Sequence, residues 1–245
     1  MSESLKERLR KKRKKLAERS AGSGVIFIKE GTLRIRILPV GEDNDWALEM
    51  THFYLGPTIK GIFSASSLGL PCPVMEAYEE LKAGSDSDKD LAKSFTPRKK
   101  YLVPAVIYED ERGKKIDADR SGQLVMLTPT IYGEIIDMFL DPDLGDFTDP
   151  KEGYDLKIKR TGSGKLDTEY TVSAMRPTPL AKEWAKEVDL NELAKKVLIP
   201  YEDAKEKVEE FLLENGDDED EAAPKAKSKS KSKSKKKRKK SNGDM

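Results

Sequence analysis

Clusters of basic side chains next to aromatic ones are the residues of this sequence whose types and spacing suit binding chemistry. Three consecutive cations at 98–100 directly precede Tyr101, and a second basic run at 157–165 precedes Tyr170. Cations neutralise backbone phosphates, and an aromatic face stacked on a base contributes roughly 1–3 kcal/mol. One such cluster alone is typical of an ordinary solvated surface, whereas their recurrence favours a surface for single-stranded nucleic acid. The members are Arg98, Lys99, Lys100, Tyr101, Lys114, Lys115, Arg120, Lys157, Lys159, Arg160, Lys165 and Tyr170.

Alternation of charge and hydrophobicity adds two arginines to this predicted surface. Residues 33–37 place Arg34 and Arg36 between apolar side chains. A period of two predicts a strand with one buried face and one basic face. Lys157 and Lys159 have the same spacing, so their charges add on one face of a second strand. We therefore predict that Arg34 and Arg36 also contact nucleic acid.

Residues for catalysis are few. The chain has one histidine, His52, and one cysteine, Cys72, so a nucleophilic triad would depend on a single imidazole and no internal disulfide can form. The carboxylates between 141 and 149 lack the spacing of a calcium loop and predict turns. The Gly-Ser-Gly-Lys run at 162–165 lacks the spacing of a phosphate loop and predicts a hairpin turn. We expect a protein that is not an enzyme, has no catalytic residues and needs no cofactor.

The charges are segregated along the chain, although the formal net charge of the 245 residues is only +1. Residues 1–20 carry nine Lys or Arg against three acids, and residues 225–240 carry eleven and no acid. The stretch between them, 21–224, has 26 basic residues against 41 acidic ones. Because the average field of that stretch repels polyanions, a nucleic-acid surface there must be a local patch.

The basic N-terminal arm, 1–23, places three leucines among its cations and is interrupted by a Gly-rich break. A solvated tail and an arm that binds nucleic acid or a partner are both consistent with this pattern. The residues that would contact a neighbouring protomer are Arg10, Lys11, Lys12, Arg13, Lys14 and Lys15. At the other end, 215–245 is an acidic run followed by a Lys-Ser repeat, and its composition predicts disorder.

Periodicity predicts a mainly β fold with some α. We expect a compact core at 24–180 followed by a helical pair at 181–214 that packs on it. In the first helix of the pair, Trp184, Val188, Leu193 and Val197 share a face; Pro200 begins the second. The predicted strands are 25–29, 33–38, 47–54, 101–108, 123–127, 154–159 and 168–172, and the predicted core helices are 74–82 and 131–140.

Hydropathy predicts neither a membrane span nor a signal peptide. The chain has no apolar run of about 18 residues, and its basic N-terminus lacks the apolar segment that a signal peptide requires. We therefore expect no membrane partner and a cytoplasmic location.

Residues 33–180 resemble the core of the single-stranded DNA-binding proteins of T-even-type bacteriophages, the gene-32-protein family. Over half of the chain is covered, by short motifs. These are Arg36-Ile-Leu-Pro39, His52-Phe53, Cys72-Pro-Val74, the basic cluster before Tyr101, Gly145-Asp-Phe-Thr-Asp-Pro150 and Gly153-Tyr-Asp-Leu-Lys-Ile-Lys159.

The resemblance implies a core with an OB-fold-like β-barrel and sequence-independent, cooperative binding of single strands. It also implies replication and recombination proteins as partners, and an N-terminal arm that contacts the neighbouring protomer. The family's basic cluster falls on Arg98, Lys99 and Lys100, with its stacking aromatic at Tyr101. The aromatic that follows the Lys-rich strand falls on Tyr170.

The sequence departs from the family in two places. The family's structural zinc site has one His and three Cys, and the matching positions here are His52, Ala65, Cys72 and Met75. Because a closed zinc site needs four good donors, we expect a degenerate site, His52 and Cys72, without metal. The family's tail is acidic to its end, whereas here an acidic run precedes eleven basic residues.

The leading hypothesis is a protein that coats and protects single-stranded DNA during replication, recombination and repair. An alternative is a structural or packaging protein that condenses nucleic acid through its basic tails, because lysine-rich tails neutralise charge without reading sequence. A third is a nuclease or polymerase accessory whose carboxylates assemble a metal site.

Overall fold

The computed structural model describes residues 24–41, 45–55, 61–116, 122–162, 164 and 167–216. The basic arm at 1–23, the tail from 217 onward, Arg120 and Lys165 lie outside the described residues. Our predictions for those residues, including the protomer-contacting cations of the arm, therefore stay predictions.

Eight strands form one mixed sheet. Their bounds are β1 Val25–Phe27, β2 Gly31–Ile37, β3 Leu48–Tyr54, β4 Gly61–Phe63, β5 Arg98–Glu109, β6 Gly122–Leu127, β7 Tyr154–Thr161 and β8 Glu169–Pro177. The order along the sheet is β1-β6-β5-β2-β7-β8, with β3 beside β5 and β4 beside β3. The seven predicted strands are confirmed with shifted ends. β4 was not predicted, because three residues are too few to show a period of two.

The long strand β5 organises the sheet. Its first residues, 98–102, pair with β3, and its last residues, 105–109, pair with β2 on the same edge, while β6 occupies the other edge. A bulge between Arg34 and Ile35 shifts the register of β2 against β5. Among the described strands the path runs from β1 to β8 without closing. The mixed α/β character is thus confirmed, whereas a closed barrel is not.

In the described residues five α-helices accompany the sheet: α1 Pro73–Ala83, α2 Asp86–Ala92, α3 Pro129–Leu140, α4 Leu190–Lys195 and α5 Tyr201–Gly216. Proline in the first turn begins α1 and α3, and the Thr128 hydroxyl of α3 accepts from the Ile131 amide. Such caps satisfy amides that have no partner within the helix. Sequence periodicity missed α2, which begins with a capping box between Ser85 and Asp88. None of the helices in the described ranges is long and apolar enough to cross a membrane.

The C-terminal helical pair is partly corrected. The predicted first helix is only six residues long, because the Val188 amide donates to the Pro39 carbonyl and ties residues 181–189 to the sheet instead. Trp184 and Val188 consequently pack around Leu38, the residue that follows β2, rather than lying on a helix. The second helix is confirmed. It also includes residues 215 and 216, which we had assigned to the disordered tail.

The main core lies between one face of the sheet and α3. This inner face carries the odd-numbered residues of β2 and the even-numbered residues of β7, and Ile131 and Ile135 of α3 cover it without exposure. Burying one such side chain contributes about 1.5–3 kcal/mol. A separate cluster joins α5 to α1 through Ala204, Val208 and Phe211. The sheet thereby acquires a covered inner face and a partly covered outer face, and this division positions the charged residues.

Candidate nucleic-acid interface

The predicted cluster at 98–101 is divided between two faces of the sheet. Successive residues of a strand point to opposite sides. Lys99 and Tyr101 share a face with Glu49 of β3, whereas Arg98 and Lys100 pair with His52 and Met50 on the other side. The four residues therefore belong to two surfaces, one of them aromatic.

The aromatic surface consists of Trp46, Tyr101 and Tyr132. The rings of Tyr101 and Tyr132 are stacked, with centroids 3.7 Å apart and planes 11° apart. Trp46 leans on Tyr132 at 5.1 Å and 42°. All three side chains are half-buried, so each is held by packing and still presents part of its ring. A fixed and partly exposed stack of this kind offers bases a stacking platform with little entropy left to lose.

Sequence analysis missed Trp46 and Tyr132 as members of this surface. Tyr132 lies on α3, remote in sequence from β5, and Trp46 lies in the connection before β3. An aromatic residue with a polar group at the edge of a core element was the available signal.

Glu49 controls the charge at the edge of the aromatic surface. Its carboxylate receives Lys99 Nζ at 2.8 Å on one oxygen and the Tyr101 hydroxyl at 3.1 Å on the other. Hydrogen bonding to Lys99, and then to Tyr101, lowers the pKa of Glu49, and the same bond raises the pKa of Lys99. A phosphate that binds Lys99 must therefore compete with Glu49.

The opposite face of the β3–β5 pair is crowded with positive charge. Lys100 is half-buried, and burial followed by the charge of Arg98 lowers its pKa. Burial is also the main reason that the pKa of His52 is lowered to about 4, with Lys100 and Arg98 adding to the effect. Arg98 is exposed and has no ion-pair partner among the residues described. An incoming phosphate would relieve this repulsion.

Arg34 lies on the outer face of the sheet and is bound by acids. Its Nη2 and Nε donate to one Asp155 oxygen at 2.7 and 2.9 Å, and its Nη1 lies 3.4 Å from Glu109. The guanidinium also lies over the Tyr108 ring, 5.2 Å from the centroid. The bulge in the β2–β5 pairing brings Tyr108 and Glu109 to this face together. Arg34 is thus available only in part to an external anion.

Arg36 corrects the prediction of an exposed basic face on β2. Its side chain is fully buried, with Nη1 3.4 Å from Asp155 and Nη2 donating to the Asp149 carbonyl at 2.9 Å. Gly153 permits this contact, because a Cβ there would lie 2.8 Å from Arg36 Nη2. The arginine ties β2 to the loop before β7 and does not contact nucleic acid.

Arg160 and Tyr170 form a separate pair at the end of the inner face. Arg160 Nη1 donates to the Ile28 carbonyl at 2.9 Å, and its guanidinium lies 6.0 Å from the Tyr170 ring centroid. Both side chains are half-buried. Arg160 therefore has a structural bond to the backbone, and the contacts of this pair do not join it to the aromatic surface.

The remaining predicted lysines are exposed. Lys157 and Lys159 lie on the outer face of β7, and Lys114 and Lys115 lie in the connection between β5 and β6. Their side chains have no ion-pair partner within the described ranges. These four residues lie apart from Tyr101, so the single-strand contacts that the sequence predicts for them stay predictions.

The two other loop predictions are confirmed. Residues from Gly162 onward connect β7 to β8 as a hairpin, as the missing phosphate-loop spacing indicated. Asp141, Asp146 and Asp149 accept bonds from backbone amides two or three residues further on, which is turn geometry. Those amides also lower the pKa of Asp149.

The positions of the family's zinc ligands do not fit a metal. Cys72 is buried, and its Sγ accepts from the Ser64 hydroxyl at 3.2 Å. The His52 ring packs edge-on against Phe63 at 5.0 Å. Ala65 and Met75 pack against the α1–α5 cluster. No group of three His, Cys, Asp or Glu side chains suited to a metal occurs in the described part of the chain, and zinc requires four donors.

A DNA-binding module is the class of protein that this aromatic and basic arrangement defines. A family model described as "gp32 DNA binding protein like" matches residues 29–212, about three quarters of the chain. The chain therefore belongs to the gp32-like family of DNA-binding proteins. A search of curated proteins found no match. Family membership supports the binding of single-stranded DNA in general.

Proposed function

We propose that this protein binds single-stranded DNA independently of sequence, by stacking bases on the aromatic surface of Trp46, Tyr101 and Tyr132. The observation that carries the proposal is the Tyr101–Tyr132 stack, which is fixed, half-exposed and adjacent to Lys99. Every base has a π-face, so stacking does not discriminate between sequences.

Electrostatics supports the same assignment. Lys99 on the aromatic face, with Arg98 and Lys100 on the opposite face, are the nearest cations along β5. A strand that displaces Glu49 from Lys99 gains a phosphate contact and leaves the Tyr101 ring free for a base. With three to five phosphates neutralised, we expect a log–log salt slope of about −2 to −4 for the described core.

We infer that the sheet and α3 together form the oligonucleotide-binding barrel that the family resemblance implies. Tyr132 of α3 stacks on β5, and Glu134 of the same helix accepts from the Val172 amide of β8 at 2.9 Å. Through these contacts α3 bridges β5 and β8, two strands that do not pair with each other in the sheet. This placement supports a barrel closed by a helix rather than by a strand pair.

The proposed role is to coat and protect single strands in replication, recombination and repair, without an enzymatic activity. In this role the protein assembles on DNA with copies of itself and meets replication and recombination proteins. Family membership and the aromatic surface support this role. The condensing alternative assigns binding to the basic tails and gives the aromatic surface no part.

A fluorescence titration tests the proposal. Trp46 and Trp184 are the two tryptophans, and Trp184→Phe would leave Trp46 as a reporter on the surface itself. Trp184 packs against the buried cluster of Leu38, Val106 and Leu180. Its indole nitrogen has no hydrogen-bond partner among the residues described, so a phenylalanine at this position loses no hydrogen bond. We expect oligo-dT to quench Trp46 and to bind more tightly than duplex DNA.

Two results would contradict the proposal. Trp46 fluorescence that stays unchanged at saturating oligo-dT would mean that bases do not reach the aromatic surface. Equal affinity for single strand and duplex, together with Tyr101→Ala without effect, would instead support condensation through the tails.

A further inference from the structure

The outer face of the sheet carries a second basic surface. Strand pairing places Glu109 of β5, Arg34 of β2, Lys157 of β7 and Ser173 of β8 side by side in one row. An isolated β-bridge to Glu109 adds Lys115 at the end of this row. The adjacent row contains Thr32, Lys159 and Thr171. We call these two lines of side chains the outer rows.

The lysines of the outer rows are free to bind an anion. Asp155 and Glu109 are occupied by Arg34. Lys157, Lys159 and Lys115 are exposed and make no ion pair with any described residue. Thr171 and Ser173 are exposed beside them. Hydroxyls also donate to phosphate, although the Ser173 hydroxyl donates to the Lys157 carbonyl at 3.5 Å. The contrast is Lys99 at the aromatic surface, which is paired with Glu49.

No aromatic ring is exposed in the outer rows. The ring of Tyr108, beside Glu109, is half-buried beneath the Arg34 guanidinium and packs against the buried cluster of Leu38, Val106 and Leu180. A ligand there can be held through its phosphates but not by stacking. Such a surface does not select unpaired bases, so it suits a duplex, which carries twice the phosphate charge of one strand along its axis.

The outer rows and the aromatic surface lie on opposite faces. Tyr101 shares the inner face with Val103 and Ala105 of the core, whereas Lys157 and Lys159 alternate with the core residue Ile158. A strand stacked on Tyr101 therefore does not occupy the outer rows. Two separate pieces of nucleic acid can be held at once.

We propose that the outer rows bind the phosphate backbone of duplex DNA while the aromatic surface holds a single strand. This inference rests on the proposed function for its second half. Lys157 and Lys159 are about 6.7 Å apart along β7, which corresponds to about two base-pair steps of one strand. The surface would place the protein at a junction between paired and unpaired DNA.

The test uses the full chain and two probes, a short oligo-dT and a labelled 20-base-pair duplex. Protein saturated with oligo-dT should still bind the duplex. In Lys157→Gln/Lys159→Gln the duplex salt slope should fall by about 1.8, because each lost phosphate contact removes about 0.9. Between 50 and 200 mM salt, the variant should therefore lose about tenfold less duplex affinity than wild type loses. Affinity for oligo-dT should change less than twofold.

Matched controls separate the outer rows from general charge. Lys151→Gln/Lys196→Gln removes the same charge from two exposed lysines outside the rows, of which Lys151 lies among Asp146, Asp149 and Glu152. This variant should keep the duplex slope. Lys157→Arg/Lys159→Arg retains the charges and should also keep the duplex slope, and unchanged oligo-dT affinity in the glutamine variant excludes a folding defect as the cause.

Three outcomes would overturn the inference. An unchanged duplex slope in the glutamine variant would mean that the tails or another surface hold the duplex. An equal loss in the Lys151/Lys196 control would mean a charge effect without a site. Displacement of the duplex by oligo-dT would mean one shared surface. Failure of the proposed function is distinguishable, because wild-type protein would then not be quenched by oligo-dT, whatever the duplex does.

Discussion

The ring of Tyr101 on β5 lies parallel to the ring of Tyr132 on α3, with centroids 3.7 Å apart. One residue comes from a strand and the other from a helix that covers the core, so the stack forms only when the sheet and α3 pack. The aromatic surface is therefore complete only when the core is folded. The first prediction follows from this pair.

Tyr101→Ala should weaken binding of a short oligo-dT by about 1–3 kcal/mol without changing the salt slope, because a stacked base is lost and no phosphate contact is. Tyr101→Phe keeps the ring and should bind nearly as wild type. Tyr201→Ala is a suitable control, since Tyr201 is exposed and contacts Glu76 at the α1–α5 cluster. An equal loss in Tyr201→Ala would show that the effect is not stacking.

Glu49→Gln should strengthen single-strand binding at low salt. The neutral amide no longer holds Lys99, which is then free to neutralise one phosphate, and the salt slope should steepen by about 0.7. Glu192→Gln removes a comparable surface partner from Lys195 on α4 and serves as the control. Binding that weakens in Glu49→Gln would mean that Glu49 orients Tyr101 rather than competing for Lys99.

Stability should fall between about pH 6.5 and pH 4 because of His52. Its pKa is lowered to about 4 in the fold, so the unfolded chain takes up this proton first as the pH falls. The stabilisation is complete above the unfolded pKa and is lost as the pH falls through the folded one, by up to about 3 kcal/mol. Denaturation of wild type and His52→Gln from pH 8 to pH 4 measures it. The difference between the two curves should change across this window, and a constant difference would refute the assignment.

The α1–α5 cluster should be held by packing. Phe211 of α5 meets Phe95 edge-on at 4.7 Å and is buried, and Phe211→Ala should cost about 3–5 kcal/mol. Leu213→Ala, at a position 72% exposed on the same helix, is the control and should cost little.

We also expect that a chelator leaves the Tm of wild type unchanged. Elemental analysis that finds one tightly held zinc would show the ligand assignment to be mistaken.

Asp155→Asn should be strongly destabilising. The carboxylate binds both Arg34 and the fully buried Arg36, and removing one partner of a buried pair costs about 3–5 kcal/mol because a charge is left uncompensated. Glu109→Gln removes only the longer and more exposed bond to Arg34 and should cost less than 1 kcal/mol. Urea denaturation of the two variants compares them, and similar losses would contradict the role of Arg36.

Local pattern was sufficient for most secondary structure. The alternation at 33–37 and 154–159 marked β2 and β7, and the helical pattern at 131–140 marked α3. Short or irregular elements escaped this reading. β4 is three residues long, and residues 181–189 show a helical period but bond to Pro39 instead. Periodicity describes which side chains can share a face, whereas a long-range backbone bond depends on what the fold brings near.

The same division applies to the site. Basic and aromatic side chains in the sequence predicted a single-strand-binding surface that includes Lys99 and Tyr101, because phosphate neutralisation and stacking require those residue types wherever they lie. Only the tertiary structure decided that Tyr132 completes the stack and that Arg36 forms a buried ion pair with Asp155. The sequence does not show whether a charged side chain is buried or which side chains lie beside it. Whether a cation meets DNA or a buried carboxylate is determined when strands far apart in sequence pack together.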